Sequence, residues 1–161
     1  MFLFEIVFGW MAQSTGLMAD SLDMLADSAV YGISLYAVGK NLEQQRISAR
    51  TSGFIQLLLA LGAFFEVVRR FFVGSEPSSI LMMSVATLAL LANVTCLILI
   101  SKHRHGKVHM KASWIFSTND VIANIGVIVA GVMVYFTRSQ IPDLIIGTII
   151  AAVVLRGAVA I

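Results

Sequence analysis

Aspartates at positions 20, 23 and 27 stand close together in the run MADSLDMLADS. At ~100° of rotation per residue, spacings of three and four put all of them within a ~60° arc of one helical face, and Tyr31 and Ser34 continue the stripe. A fourth, Asp120, sits in WIFSTNDVIANIG, where Ser113, Ser117 and Asn124 share its face at offsets of −7, −3 and +4. Like charges this close cannot all stay ionised in a low-dielectric setting without a compensating cation, and neither run holds a lysine or arginine to supply it. An external cation or protons must therefore balance them. Carboxylates at i and i+4 on one helix, facing another across a bundle, make a sensible oxygen-ligand site for a divalent metal. Protonated acids bonding helix to helix are the other reading, better suited to one aspartate than to four on two stripes.

The elements that carry these residues belong in a lipid bilayer. Of 161 residues, 58% are apolar and 12% charged, against roughly half and a quarter in a soluble domain. The mean hydropathy is +0.90. A water-soluble globule and a disordered chain are excluded, and a net charge of +2 gives nucleic acid no basic surface. The single cysteine, Cys96, excludes an intrachain disulfide. Five stretches approach the ~20 apolar residues needed to cross the bilayer: 17–38, 53–73, 80–100, 112–136 and 142–161. A sixth, 1–12, is too short to cross unaided and stops at the turn-like Gln13-Ser14-Thr15-Gly16; it reads as the second half of a truncated first span or as a short interfacial helix. The expected fold is an all-α bundle of six transmembrane helices in one domain, 1–161, with no soluble domain. An acid at mid-bilayer costs at least ~2.5 kcal/mol when ionised, so intramembrane acids are functional candidates.

Lysine and arginine gather in short cytoplasmic loops. Lys40, Arg46, Arg50, Lys102, Arg104, Lys107, Lys111 and Arg156 fall on one side of the six-span arrangement, and only Arg69, Arg70 and Arg138 on the other. This places both termini in the cytoplasm, with the plasma or inner membrane as the host.

Other polar residues have more than one reading. Glu5 and Glu66 could line the same cavity as the aspartates, while Glu66 could equally pair with Arg69 or Arg70 one turn on. His103, His105 and His109 lie in KHRHGKVH, either a metal-collecting loop or a solvated positive-inside loop. Asn93 suits an interhelical hydrogen bond, and Gly9, Gly32, Gly62, Gly126 and Gly131 suit close helix packing. Asp143, after Pro142, suits the first turn of a helix, where the dipole favours an acid. No phosphate loop, nucleophile elbow or zincin motif is present, so an enzyme is not expected. Paired membrane aspartates raise an intramembrane aspartyl protease as an alternative, but Asp120 follows asparagine rather than glycine. A non-transporting scaffold or regulatory protein is another, and it has no need of three acids on one stripe.

Residues 14–27, STGLMADSLDMLAD, resemble the second span of the cation diffusion facilitators, with Asp23 and Asp27 at that family's His-or-Asp, three residues, Asp motif and Asp20 at its preceding Ala-Asp. Residues 64–72 with Glu76-Pro77 resemble the end of the third span, 119–128 resemble the fifth, and Pro142-Asp143 opens the sixth. The resemblance covers essentially the whole chain. It implies a proton-coupled divalent-cation exporter, a homodimer in the lipid bilayer, with protons and a transported Zn, Mn, Fe or Co ion as partners and no permanently bound cofactor. Asp23, Asp27, Asp120 and Asn124 are the implied metal residues, with Asp20 and Ser117 as further candidates. Two departures stand out. Phe116 occupies the position where the family has histidine four residues before the fifth-span aspartate, and the family's C-terminal cytoplasmic domain is not in the sequence.

Overall fold

The computed structural model describes residues 1–101 and 108–160, with the backbone alone for 108–113, 115, 116 and 160. The described residues form six α-helices: α1 (Phe2–Met11), α2 (Thr15–Ala37), α3 (Leu42–Val73), α4 (Ser79–Ser101), α5 (Val108–Thr137) and α6 (Ile141–Ala160). Four of them, α3 to α6, are long and apolar enough to cross a membrane. At ~1.5 Å per residue α2 is equally long, roughly 35 Å, but its three aspartates dilute its apolar character. The ten residues of α1 rise only about 15 Å, half of a ~30 Å hydrocarbon core.

Two helix boundaries differ from the sequence expectation for physical reasons. α3 begins at Leu42 rather than near residue 53, because Asn41 caps it by accepting from the Gln44 amide at 2.8 Å. The added turns carry Glu43, Gln44, Gln45, Arg46 and Arg50, all exposed, so hydropathy could not reveal them. The expected turn at 13–16 contracts to residues 12–14, and Thr15 and Gly16 already belong to α2.

Helices α1, α2, α3 and α6 pack into one group, and α4 and α5 form a hairpin that meets it through α1, α2 and α6. The interior is built from small side chains: Ala12, Ala19, Ala26, Ala60, Ala63, Ala86 and Ala151 are all buried. Without a hydrophobic drive between helices in lipid, such residues let backbones come close enough for dispersion to hold them together. Gly126 and Gly147 serve the same end, since a Cβ there would lie 2.5 Å from Ile146 and 2.8 Å from Thr15. Gly9 and Gly131 are equally crowded, but Gly32 and Gly62 face open space, so the packing role expected of these two does not hold. Large apolar residues point outward instead, as lipid permits: Leu3, Phe65, Phe72, Phe136 and many others are exposed.

The two ends of the bundle differ. At one, the three connections are tied together: Ser78 N–H donates to Ala12 O at 2.8 Å, Glu76 N–H to Gln13 Oε1 at 3.2 Å, and Ser75 N–H to Gln140 Oε1 at 2.6 Å. Asp143, in the first turn of α6, accepts from Ser14 Oγ at 2.7 Å, Thr15 N–H at 2.6 Å and Gly16 N–H at 3.0 Å. Asp143 stands in the first turn of α6 as expected, and its carboxylate also caps the N-terminus of α2. The opposite end, which carries Lys40, Arg46, Arg50 and Arg156, has a cavity open between the hairpin and the four-helix group.

Candidate functional site

That cavity has a volume of about 410 Å³ and is lined by the first residues of α1, the second halves of α2 and α4 and the first half of α5. Asp27 and Asp120 both line it, with Ser28, Tyr31, Asn93 and Ser117 beside them. The sequence spacing thus brings one acid of each stripe to the same water-sized space. Asp120 Oδ1 is buried without a hydrogen-bond partner among the described residues, an acceptor suited to a proton or a cation.

The other candidates sit deeper. Asp20 and Asn124 are fully buried, and the Asn124 amide donates to Asp20 Oδ2 at 3.1 Å and to its own helix at Asp120 O at 2.7 Å. The Asn124 Oδ1 has no partner and is free to accept or ligate. Asp23, 7% exposed, lines a separate pocket of about 110 Å³ with Asn119, Ala123 and isoleucines of α5 and α6. Its charge nonetheless lies within electrostatic reach of both Asp27 and Asp120. The acids therefore form a descending series along α2, with Asp27 at the open cavity, Asp23 behind it and Asp20 furthest in. Among the described residues, no three acid, histidine or cysteine side chains close tightly enough to enclose an ion in this conformation.

Glu5 does not line the cavity, as had been one expectation. It is fully buried, and among the described residues neither of its carboxylate oxygens has a hydrogen-bond partner. Glu66 is likewise removed from the site: it pairs with both Arg69 and Arg70. Asn93, expected to bridge helices, is buried at the cavity with its Nδ2 unpartnered. Cys96 also lines the cavity. Neither was legible as a site residue, because each stands alone in an apolar run with no periodic polar partner. His103 and His105 lie outside the described residues, as do the side chains of His109, Ser113 and Phe116.

A bundle of helices with carboxylates lining a cavity open at one end defines an integral, multi-pass membrane protein equipped to handle cations. Residues 1–161 match the family described as the cation efflux transmembrane domain, and the chain belongs to it. Among curated proteins it is similar to the zinc transporter ZitB of Yersinia pseudotuberculosis, 28% identical over 96% of this chain and 54% of the relative. It is similar to the metal cation efflux system protein CzcD of Cupriavidus metallidurans, 25% identical over 83% of this chain and 46% of the relative. The cadmium, cobalt and zinc/H(+)-K(+) antiporter of Bacillus velezensis is 22% identical, over 96% of this chain and 54% of its own length. The chain spans about half the length of these relatives.

Proposed function

We propose that this chain is the membrane part of a divalent-cation exporter that exchanges metal for protons. The observation that carries the reading is the pairing of Asp27 and Asp120 across one cavity, backed by Asp23 and by buried oxygens that lack partners. In this reading Asp23, Asp27 and Asp120 bind the ion, Asn124 offers its free amide oxygen, and Asp20 and Ser117 stand by as further oxygen donors. The metal is cargo, taken up through the open cavity when the carboxylates are deprotonated. On the far side protons compete for the same oxygens and release it, so affinity falls as pH is lowered. Transport names among the relatives favour this over a protease or a scaffold. Metal uptake by proteoliposomes under a pH gradient tests it, and no uptake of any of Zn²⁺, Mn²⁺, Fe²⁺ or Co²⁺ would overturn it.

Cys96 gives a direct readout of the cavity. A water-soluble thiol reagent labels it, and saturating metal is expected to slow that labelling at least about tenfold by occupying the space beside Asp27 and Asp120. Equal rates with and without metal would place the ion elsewhere.

The positive-inside bias favours the open cavity facing the cytoplasm of a plasma or inner membrane, with both termini on that side. In a Cys96→Ser background, a cysteine placed at one of positions 102–111 is then labelled only by reagents that reach the cytoplasm, and Ser139→Cys only from outside. The homodimer proposed for the working protein is supported by Phe54, Leu58, Leu61, Phe65, Val68 and Phe72, an exposed stripe at alternating spacings of four and three along α3.

Metal preference follows from the donor set. Carboxylates, an amide and a hydroxyl are all oxygen ligands, which suit harder ions, whereas imidazole favours Zn²⁺. Weaker discrimination for Zn²⁺ is therefore proposed than a histidine-bearing site would give. Phe116 stands one turn before Asp120. Phe116→His is expected to raise Zn²⁺ binding relative to Mn²⁺ about tenfold, about 1.4 kcal/mol, while Phe116→Met leaves the ratio unchanged. Parallel titrations decide it; an unchanged ratio in the histidine variant removes position 116 from the site.

A further inference from the structure

A second polar constellation lies at the tied end of the bundle, away from the aspartates. Glu66 accepts from Arg69 through Nε at 2.8 Å and Nη2 at 2.6 Å, and from the Nε of Arg70. One carboxylate thus serves two guanidiniums, leaving one positive charge in excess. Arg70 is only 3% exposed, which makes the imbalance costly. Its Nη2 has found only a thioether, Met18 Sδ at 2.9 Å, and its Nη1 is buried with no partner. An anion beside Arg69 and Arg70 would balance that excess charge.

Space for one adjoins them. A cavity of about 480 Å³ is lined by Arg69, Arg70 and Gln13 on its polar side and by Trp10, Met11 and Val73 on its apolar side. Trp10 is exposed near the end of α1, where amphipathic rings mark the headgroup level of a membrane. A group carrying one negative charge, several acceptor oxygens and apolar chains beside them fits both sides of this cavity. Guanidiniums present paired donors to phosphate oxygens.

We propose that this groove binds the phosphodiester of a phospholipid headgroup in the leaflet opposite the basic end, with Arg69 and Arg70 holding the phosphate and Trp10, Met11 and Val73 the lipid beside it. The test is native mass spectrometry of the full chain in detergent titrated with phosphatidylglycerol. One tightly retained lipid is expected. Arg69→Gln, at a half-exposed position, and Arg70→Lys, which keeps the charge toward Glu66 but removes the guanidinium fork, are each expected to lower the bound fraction at least about fivefold. Retention equal to wild type in both variants would overturn the proposal. A parallel arm uses inorganic phosphate alone: if it raises the thermal midpoint of wild type but not of the variants, while phosphatidylglycerol is not retained, the ligand is a soluble anion and the lipid assignment falls.

Discussion

Alanine at Asp27 or at Asp120 is expected to weaken binding of the divalent ion at least about a hundredfold, about 2.7 kcal/mol, in titrations of the purified chain. These carboxylates line one cavity from different helices, so each removal deprives the ion of charge and of a ligand that the other helix cannot replace. Asp23→Ala is expected to follow them, because its charge acts on the same space. Asp20→Ala should be milder: its carboxylate is engaged by Asn124 and does not line the cavity. Stability provides the internal control. Removing a carboxylate whose Oδ1 is buried without a partner among the described residues costs the metal-free fold no hydrogen bond at that atom, so Asp120→Ala should melt no lower than wild type without metal. Binding lost with the fold intact is the signature of a ligand; wild-type affinity in Asp120→Ala would sink the two-helix site.

The second large effect is expected at Asp143, far from any metal. Its carboxylate takes the Ser14 hydroxyl and the Thr15 and Gly16 amides, which would otherwise be orphaned at a buried helix start. Each stranded donor costs about 1–3 kcal/mol, tempered because hydrogen bonds between membrane helices average below ~1 kcal/mol. Asp143→Ala should therefore cost about 2–4 kcal/mol in detergent unfolding titrations. Asp143→Asn keeps one acceptor oxygen and should lose roughly half as much. A wild-type midpoint in the alanine variant would show that these bonds contribute nothing in the membrane.

Much of this architecture was legible in advance. Hydropathy located the six helical segments, because the bilayer demands long apolar runs whatever the tertiary contacts. Periodicity placed Asp20, Asp23 and Asp27 on one face of α2, but a helical wheel yields only azimuth. It could not say that Asp27 opens onto the cavity while Asp20 is sealed behind Asn124, since depth depends on which neighbour covers each turn. The polar start of α3 was missed because it lies outside the apolar stretch and is fixed by a cap at Asn41. The first-turn place of Asp143 in α6 was legible, but its capping of α2 was not, because those partners are 127 to 129 residues away, beyond any local pattern.

That separation bears on how the protein is made. Residues 14–16 are synthesised before residue 143, which supplies their acceptor. Until α6 is in place, the helix bearing three of the four stripe aspartates begins with amides and a hydroxyl that no other element satisfies. That helix is thus made before α6 and locked only when α6 arrives.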